Sequence, residues 1–320
     1  MAKVTLLGAV APVVWGTTYA VTTELLPPDR PMTAAVLRAV PAGLLLLLLA
    51  PARPRQWGRL LVLSLLNIGA FFPLLFVADY RLPGGLAAVV GAAQPFIVAL
   101  AAWLFFRERT PARQLLWALV AVLGVAMTLA SGTLTVDPIG ILAASAGTAS
   151  MALGITLTRA WGPTAGLTGL GSTAWQLLLG GLMISPLIPL LDHGPFVLTT
   201  GSLLGYAWLS LVGGALAYSL WFHAARTLPA ASTSLLGPLS PVTAALLGWL
   251  ILGEAFTLQQ SLGFALALTA AILGQRRQAR PPQRPRRRRD PGPAPTLTVG
   301  SHVRRYKHRP TPTAGGGRAW

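Results

Sequence analysis

At 320 residues the chain is long enough for one or two soluble domains, but only 10% of its residues are charged, 53% are hydrophobic and its mean hydropathy is +0.62, which excludes them. The formal charge of +17 belongs to one end, since 13 of the 25 Lys and Arg follow residue 274 and the first 274 residues carry 12 basic against 7 acidic side chains. Cys is absent, which excludes disulfides and Cys–metal chemistry, and the four His (193, 223, 302 and 308) form no ligand cluster.

A bilayer-crossing helix needs about 20 mostly apolar residues. Ten such stretches follow in order: 4–23, 32–50, 59–78, 84–106, 112–131, 138–158, 166–190, 202–222, 230–252 and 257–274. The first, after Lys3, has the charge and apolar run of a signal peptide, but further spans follow at once and it reads as a spanning helix. The breaks hold turn residues, among them Pro27-Pro28-Asp29-Arg30-Pro31, Pro51-Ala52-Arg53-Pro54-Arg55 and Asp192-His193-Gly194-Pro195.

Basic loop residues set orientation. Lys3, Arg53, Arg55, Arg59, Arg107, Arg109, Arg113, Arg159, Arg226 and the tail fall on one side, and Arg30 and Arg81 on the other. Both termini are therefore expected in the cytoplasm of a plasma-membrane protein. Residues 275–320, with Arg286 to Arg289 and a run of Pro and Gly, are expected to be a disordered basic tail. Such a tail enforces cytoplasmic placement and also suits anionic lipid; nucleic acid is not expected, because interleaved aromatics are missing.

One stretch occurs twice. Leu82-Pro83, Gly91, Pro95, Trp103-Leu104 and Glu108 recur as Leu228-Pro229, Gly237, Pro241, Trp249-Leu250 and Glu254, each 146 residues later. Two repeats follow, 1–131 and 132–274. Each has five spans, an odd number, so the second must be inverted relative to the first.

Pro95 and Pro241 each remove a backbone hydrogen bond inside a span, and Gln94 and Ser240 precede them with side chains able to satisfy a freed carbonyl. Paired interruptions in two halves point to a cavity between those helices. Trp15, Thr18 and Thr22 share one helical face, as do Ser64, Asn67 and Phe71 in the third span and Ser172, Trp175 and Gln176 in the seventh. Two roles fit such polar groups, cavity lining or hydrogen bonds that join helices. Arg38 lies about two turns into the second span, where a cation faces the protein interior or snorkels to the surface. Glu108 and Glu254 end their spans and read as structural, placed to interact with the N-termini of the next helices. No Asp or Glu sits mid-span, and no catalytic, metal or nucleotide motif is present.

These residues resemble the EamA family of the drug/metabolite transporter superfamily. The resemblance covers most of 1–274 and rests on Trp15-Gly16, Arg38, the repeated Leu-Pro, Pro and Glu pattern, and Tyr218, Trp221, Ala225, Leu228-Pro229-Ala230, Pro241-Val242, Gly248, Gly253-Glu254 and Gly263. Arg107-Glu108 departs from the Gly-Glu the family often has there. The resemblance implies ten helices in two inverted five-helix repeats around a cavity lined by spans 1, 3, 4, 6, 8 and 9, in a family that includes amino-acid, metabolite and drug carriers.

The expectation is an all-α membrane carrier, not an enzyme, that exports a small organic solute by alternating access, without cofactor or metal. Its substrate-cavity candidates are Trp15, Thr18, Arg38, Asn67, Gln94, Pro95, Trp175, Ser240 and Pro241. Aromatic walls with few polar groups suit an amphipathic or aromatic solute, and Arg38, where it reaches the cavity, a carboxylate. A lipid scramblase, a membrane enzyme without a recognisable motif and a subunit whose tail recruits a partner stay open. Oligomeric state is not legible.

Overall fold

The computed structural model describes residues 2–82, 90–129, 137–240, 242–243, 246–247 and 257–273. Pro241, Glu254 and the basic tail lie outside them. The described residues are helical, in the order α1 (Ala2–Trp15), α2 (Thr18–Leu25), α3 (Pro31–Leu49), α4 (Trp57–Ser64), α5 (Phe71–Arg81), α6 (Gln94–Phe106), α7 (Ala112–Leu129), α8 (Pro138–Trp161), α9 (Gly169–Ile184), α10 (Thr200–Ser210), α11 (Ala217–Thr227), α12 (Ala230–Ser234) and α13 (Leu258–Leu273).

Among the described residues six stretches are long and apolar enough to cross a membrane: Ala2–Thr22, Pro31–Leu49, Trp57–Ala78, Pro138–Trp161, Gly169–Leu191 and Thr200–Thr227. Val90–Phe106, Ala112–Met127 and Ser261–Ala270 are shorter apolar helices, so each of the ten expected stretches holds helix among the described residues. The eighth runs past the expected end at 222 to Thr227. Pro229 ends it, by driving Leu228 into extended backbone (φ −90°, ψ 158°), whereas His223 and Arg226 remain helical.

Burial is distributed as a bilayer requires. Leu48, Leu142 and Leu258 are 81%, 70% and 78% exposed, whereas Asn67, Gln176, Thr173 and Thr233 are fully enclosed. Water on the outside would penalise those leucines, but lipid does not. Small residues bring backbones close: at Gly43 a Cβ would come within 2.6 Å of the Leu178 backbone nitrogen, so α3 rides directly on α9.

The loops gather at two ends. At one, Asp192 accepts the backbone N–H of Met32 and Thr33 at 2.9 and 2.8 Å, Arg30 donates to the Gly194 carbonyl at 2.7 Å, and Arg81 meets Asp137 at 3.0 Å. At the other, the Arg55 N–H donates to the Ala165 carbonyl at 3.1 Å and Arg159 to the Arg226 carbonyl at 3.0 Å. The 19 residues of α3 separate these ends by about 27 Å, close to the thickness of a hydrocarbon core. Each pairing joins loops placed on the same side by charge.

Among the described residues two short π-helical turns interrupt spans otherwise α-helical. In Leu65–Gly69 the Ala70 N–H reaches five residues back, to the Leu65 carbonyl at 2.7 Å. In Leu211–Leu216 the Ala217 N–H reaches back to the Val212 carbonyl. Leu211 follows Leu65 by 146 residues, the spacing of the sequence repeat. The packing has the same twofold logic: α1 lies on α11 as α8 lies on α5, and α3 crosses the second π turn as α9 crosses the first.

Candidate functional site

The second π turn is where the first and second halves meet most chemically. It exposes the Gly213 carbonyl, which accepts the Trp15 indole N–H at 2.9 Å and an Arg38 Nη–H at 3.4 Å. Arg38 is only 2% exposed, and its guanidinium lies 5.0 Å from the Phe72 ring centroid and 6.0 Å from that of Tyr218. Cation–π attraction and the carbonyl dipole offset part of the cost of enclosing that charge. Tyr218 packs on Trp15 at 4.8 Å and on Phe72 at 5.5 Å, and Trp221 lies 5.2 Å from Trp15. Trp15, Phe72, Tyr218 and Trp221, on α1, α5 and α11, thus form one aromatic cluster, of which Phe72 and Tyr218 face the cation from α3.

A second polar centre sits on the first π turn. Asn67 donates to the Gln176 carbonyl oxygen at 2.9 Å and to Thr158 Oγ1 at 3.4 Å, and Gln176 donates to Ser172 Oγ at 3.2 Å. The Asn67 Oδ1 is buried without a hydrogen-bond partner and lies against Gly154, where a Cβ would collide with it. An unsatisfied buried acceptor costs about 1–3 kcal/mol. Asn67 therefore joins helices in this state rather than facing open space.

The sequence candidates fall into three places. Trp15 and Arg38 come together at Gly213, with Thr18 buried one turn beyond Trp15. Gln94 and Pro95 are buried where the fourth span breaks: Ala93 forms a turn, the Phe96 N–H donates to the Ala93 carbonyl at 3.0 Å, and Pro95 sits in the first turn of α6. Ser240 lies at the matching break, in which Leu236, Gly237, Leu239 and Ser240 each bond three residues back. Gln94 and that break approach each other, since a Cβ on Gly237 would lie 3.6 Å from Gln94 Oε1. The Ser240 carbonyl faces Gly16, next to Trp15.

Trp175 lies elsewhere. Its indole N–H donates to the Ala52 carbonyl at 2.8 Å and its ring meets Trp57 edge-on at 5.5 Å, holding the loop beyond α3. Glu108 is exposed at the end of α6, where its backbone N–H donates to the Ala102 carbonyl at 3.1 Å and Arg107 takes φ 54° to close the helix. Sequence reading passed over Phe72, Thr158 and Gly213. Phe72 and Gly213 were recoverable by extending the 146-residue register upstream, which pairs Phe72 with Tyr218 and Asn67 with Gly213.

Outside the spans, Asp137 caps α8 by accepting the Ile139 and Gly140 N–H groups. The hydrogen bond from Arg81, reinforced by these two, holds its carboxyl below the ordinary 3.8. Among the described residues no group of three His, Asp or Glu comes together to hold a metal.

An all-helical bundle with an apolar exterior, two π-interrupted spans in repeat register and a polar, aromatic interior between its halves defines a multi-span membrane protein of the transporter type. The model of the EamA-like transporter family matches twice, over residues 2–130 and 138–274, and the chain belongs to that family. Protein PecM of Dickeya dadantii is 42% identical over 83% of this chain and 90% of its own length. The uncharacterized inner membrane transporter YedA of Escherichia coli K12 is 28% identical over 82% and 87%. A crystal structure 18% identical in sequence superposes with a TM-score of 0.69 over 85% of this chain and 96% of that one, a likeness of fold.

Proposed function

We propose that this membrane transporter is a secondary carrier that exports a small amphipathic or aromatic organic solute by alternating access. The observation that carries the reading is the aromatic cluster of Trp15, Phe72, Tyr218 and Trp221, between helices of opposite halves, with Phe72 and Tyr218 facing Arg38. Flat rings bind apolar and aromatic bodies, and the nearby cation favours solutes that carry a carboxylate. Residues 1–131 and 132–274 are the two inverted repeats, and the paired breaks at Gln94-Pro95 and at Ser240 edge the path between them. Both termini lie in the cytoplasm of a plasma-membrane protein, and the basic tail 275–320 adds affinity for anionic lipid.

The test is release from liposomes loaded with amino acids, other organic acids, nucleobases and aromatic drugs, with efflux identified by mass spectrometry. Selective release of one class, reduced by Trp15→Ala in protein that remains monodisperse, supports a carrier. Flip of labelled lipid without solute release would make the protein a scramblase. Chemical conversion of a solute would make it an enzyme.

A further inference from the structure

We propose that the π turns at 65–69 and 211–216 are one pair of hinges, on which the third and eighth spans bend during transport, and that Gln176 and Arg38 are their positioning residues. The inference rests on the carrier reading for its purpose, but its geometry is independent of any substrate.

The turns occupy one register. Asn67 and Gly213 are 146 residues apart, each the third residue of its π turn. A π turn carries one residue more than an α-helix can accommodate, so its backbone bonds are misaligned and the helix bends there more readily than elsewhere. Two such turns, one per repeat and at equivalent places, are unlike the isolated irregularity that one local sequence produces.

Each turn is held by a polar side chain from the opposite half. In the first, Gln176 of α9 accepts from Asn67 at 2.9 Å; in the second, Arg38 of α3 donates to the Gly213 carbonyl at 3.4 Å, beside Trp15 at 2.9 Å. The first turn also keeps the buried, unpartnered Asn67 Oδ1 pressed against Gly154. That arrangement is costly when packed and is relieved when the span moves, as expected of an element with a second conformation. Because the contacts cross between halves, rocking one half against the other must alter both. The pins differ in kind, neutral in one half and cationic in the other, so they bias the two hinges unequally.

The absence of Cys allows the motion to be read directly from paired cysteines carrying spin labels. Exposed Leu61 and Tyr80 straddle the first turn, and exposed Leu203 and His223 the second. Exposed Leu142 and Arg159 lie on α8, which has no π turn, and serve as the control. In lipid nanodiscs we expect two resolved distances for each straddling pair and one for the control. Gln176→Leu should change the population ratio of the first pair by about threefold or more while the control stays fixed. Single distances at both turns, matching the control, would overturn the proposal; so would a ratio that Gln176→Leu leaves unchanged. The native-sequence pairs decide the matter even where that variant fails to fold. Two distances without solute release from liposomes would sustain the hinges and count against the carrier, and release with single distances would do the reverse.

Discussion

The carboxylate of Asp192 accepts the backbone N–H of Met32 at 2.9 Å, so the N-terminus of the second span is capped by a residue 160 positions away. The first turn of a helix has N–H groups without intrahelical partners, and an anion there meets both them and the helix dipole. Thr33 contributes its own N–H at 2.8 Å and its hydroxyl at 2.5 Å, so one carboxylate satisfies three donors and ties the two halves at one membrane face.

Asp192→Ala is therefore predicted to destabilise the fold by about 1–2 kcal/mol, the usual cost of a lost cap. In a thermal melt in detergent this should appear as a midpoint lower by several degrees, with Asp192→Asn intermediate. An unchanged midpoint for Asp192→Ala would show that the cap contributes nothing there.

Acid should act through Asp137. Its carboxyl titrates below the ordinary 3.8 in the folded chain because Arg81 donates to it and the α8 N-terminus surrounds it. A carboxyl lowered on folding adds stability that is fully present above the unfolded value and is lost as pH falls through the folded one. The gap in melting midpoint between wild type and Asp137→Asn is thus expected to be constant from pH 7 to 5 and to close below about pH 4. A gap that persists undiminished at pH 3 would assign the effect to shape rather than charge.

Asn67 and Gly154 should be coupled. A methyl at Gly154 collides with Asn67 Oδ1, so Gly154→Ala is expected to cost about 1–3 kcal/mol by overpacking. In an Asn67→Ala background most of that cost should vanish, giving an interaction energy of about 1 kcal/mol or more in a double-mutant cycle. Additive losses would mean that α8 and the third span do not meet through this pair.

Orientation is open to labelling. Single cysteines at Pro28 and Ala165, exposed residues of the two loop sets, begin from a chain without Cys. In intact cells a membrane-impermeant maleimide should modify the cysteine at position 28 and leave that at 165 untouched until the membrane is opened. The reverse pattern would turn the molecule over and overrule the charge bias of its loops.

What could be read before the tertiary structure is tied to local chemistry. Apolar run length marked the spans, since a bilayer demands about 20 such residues whatever lies beside them. Pro229 marked the start of the ninth span and Asp137-Pro138 the break before the sixth, because proline restricts the residue before it and aspartate accepts from a helix start, both within a few residues. The eighth span, expected to end at 222, nevertheless runs on to Thr227. The 146-residue register announced the two halves.

Partnership could not be read this way. Trp175 and Trp15 look alike in sequence, each an aromatic in a polar stretch, but one holds the Ala52 loop and the other the Gly213 carbonyl. Arg38, mid-helix and unpaired in sequence, finds its acceptor 175 residues away at a π turn that no residue type announces. The sequence by itself determined the spans, their repeat and the charge bias of their loops, because hydropathy and turn chemistry act over a few residues. Only the tertiary structure decided which polar groups meet, because a buried donor is satisfied by whatever acceptor the packing of distant helices brings within about 3 Å.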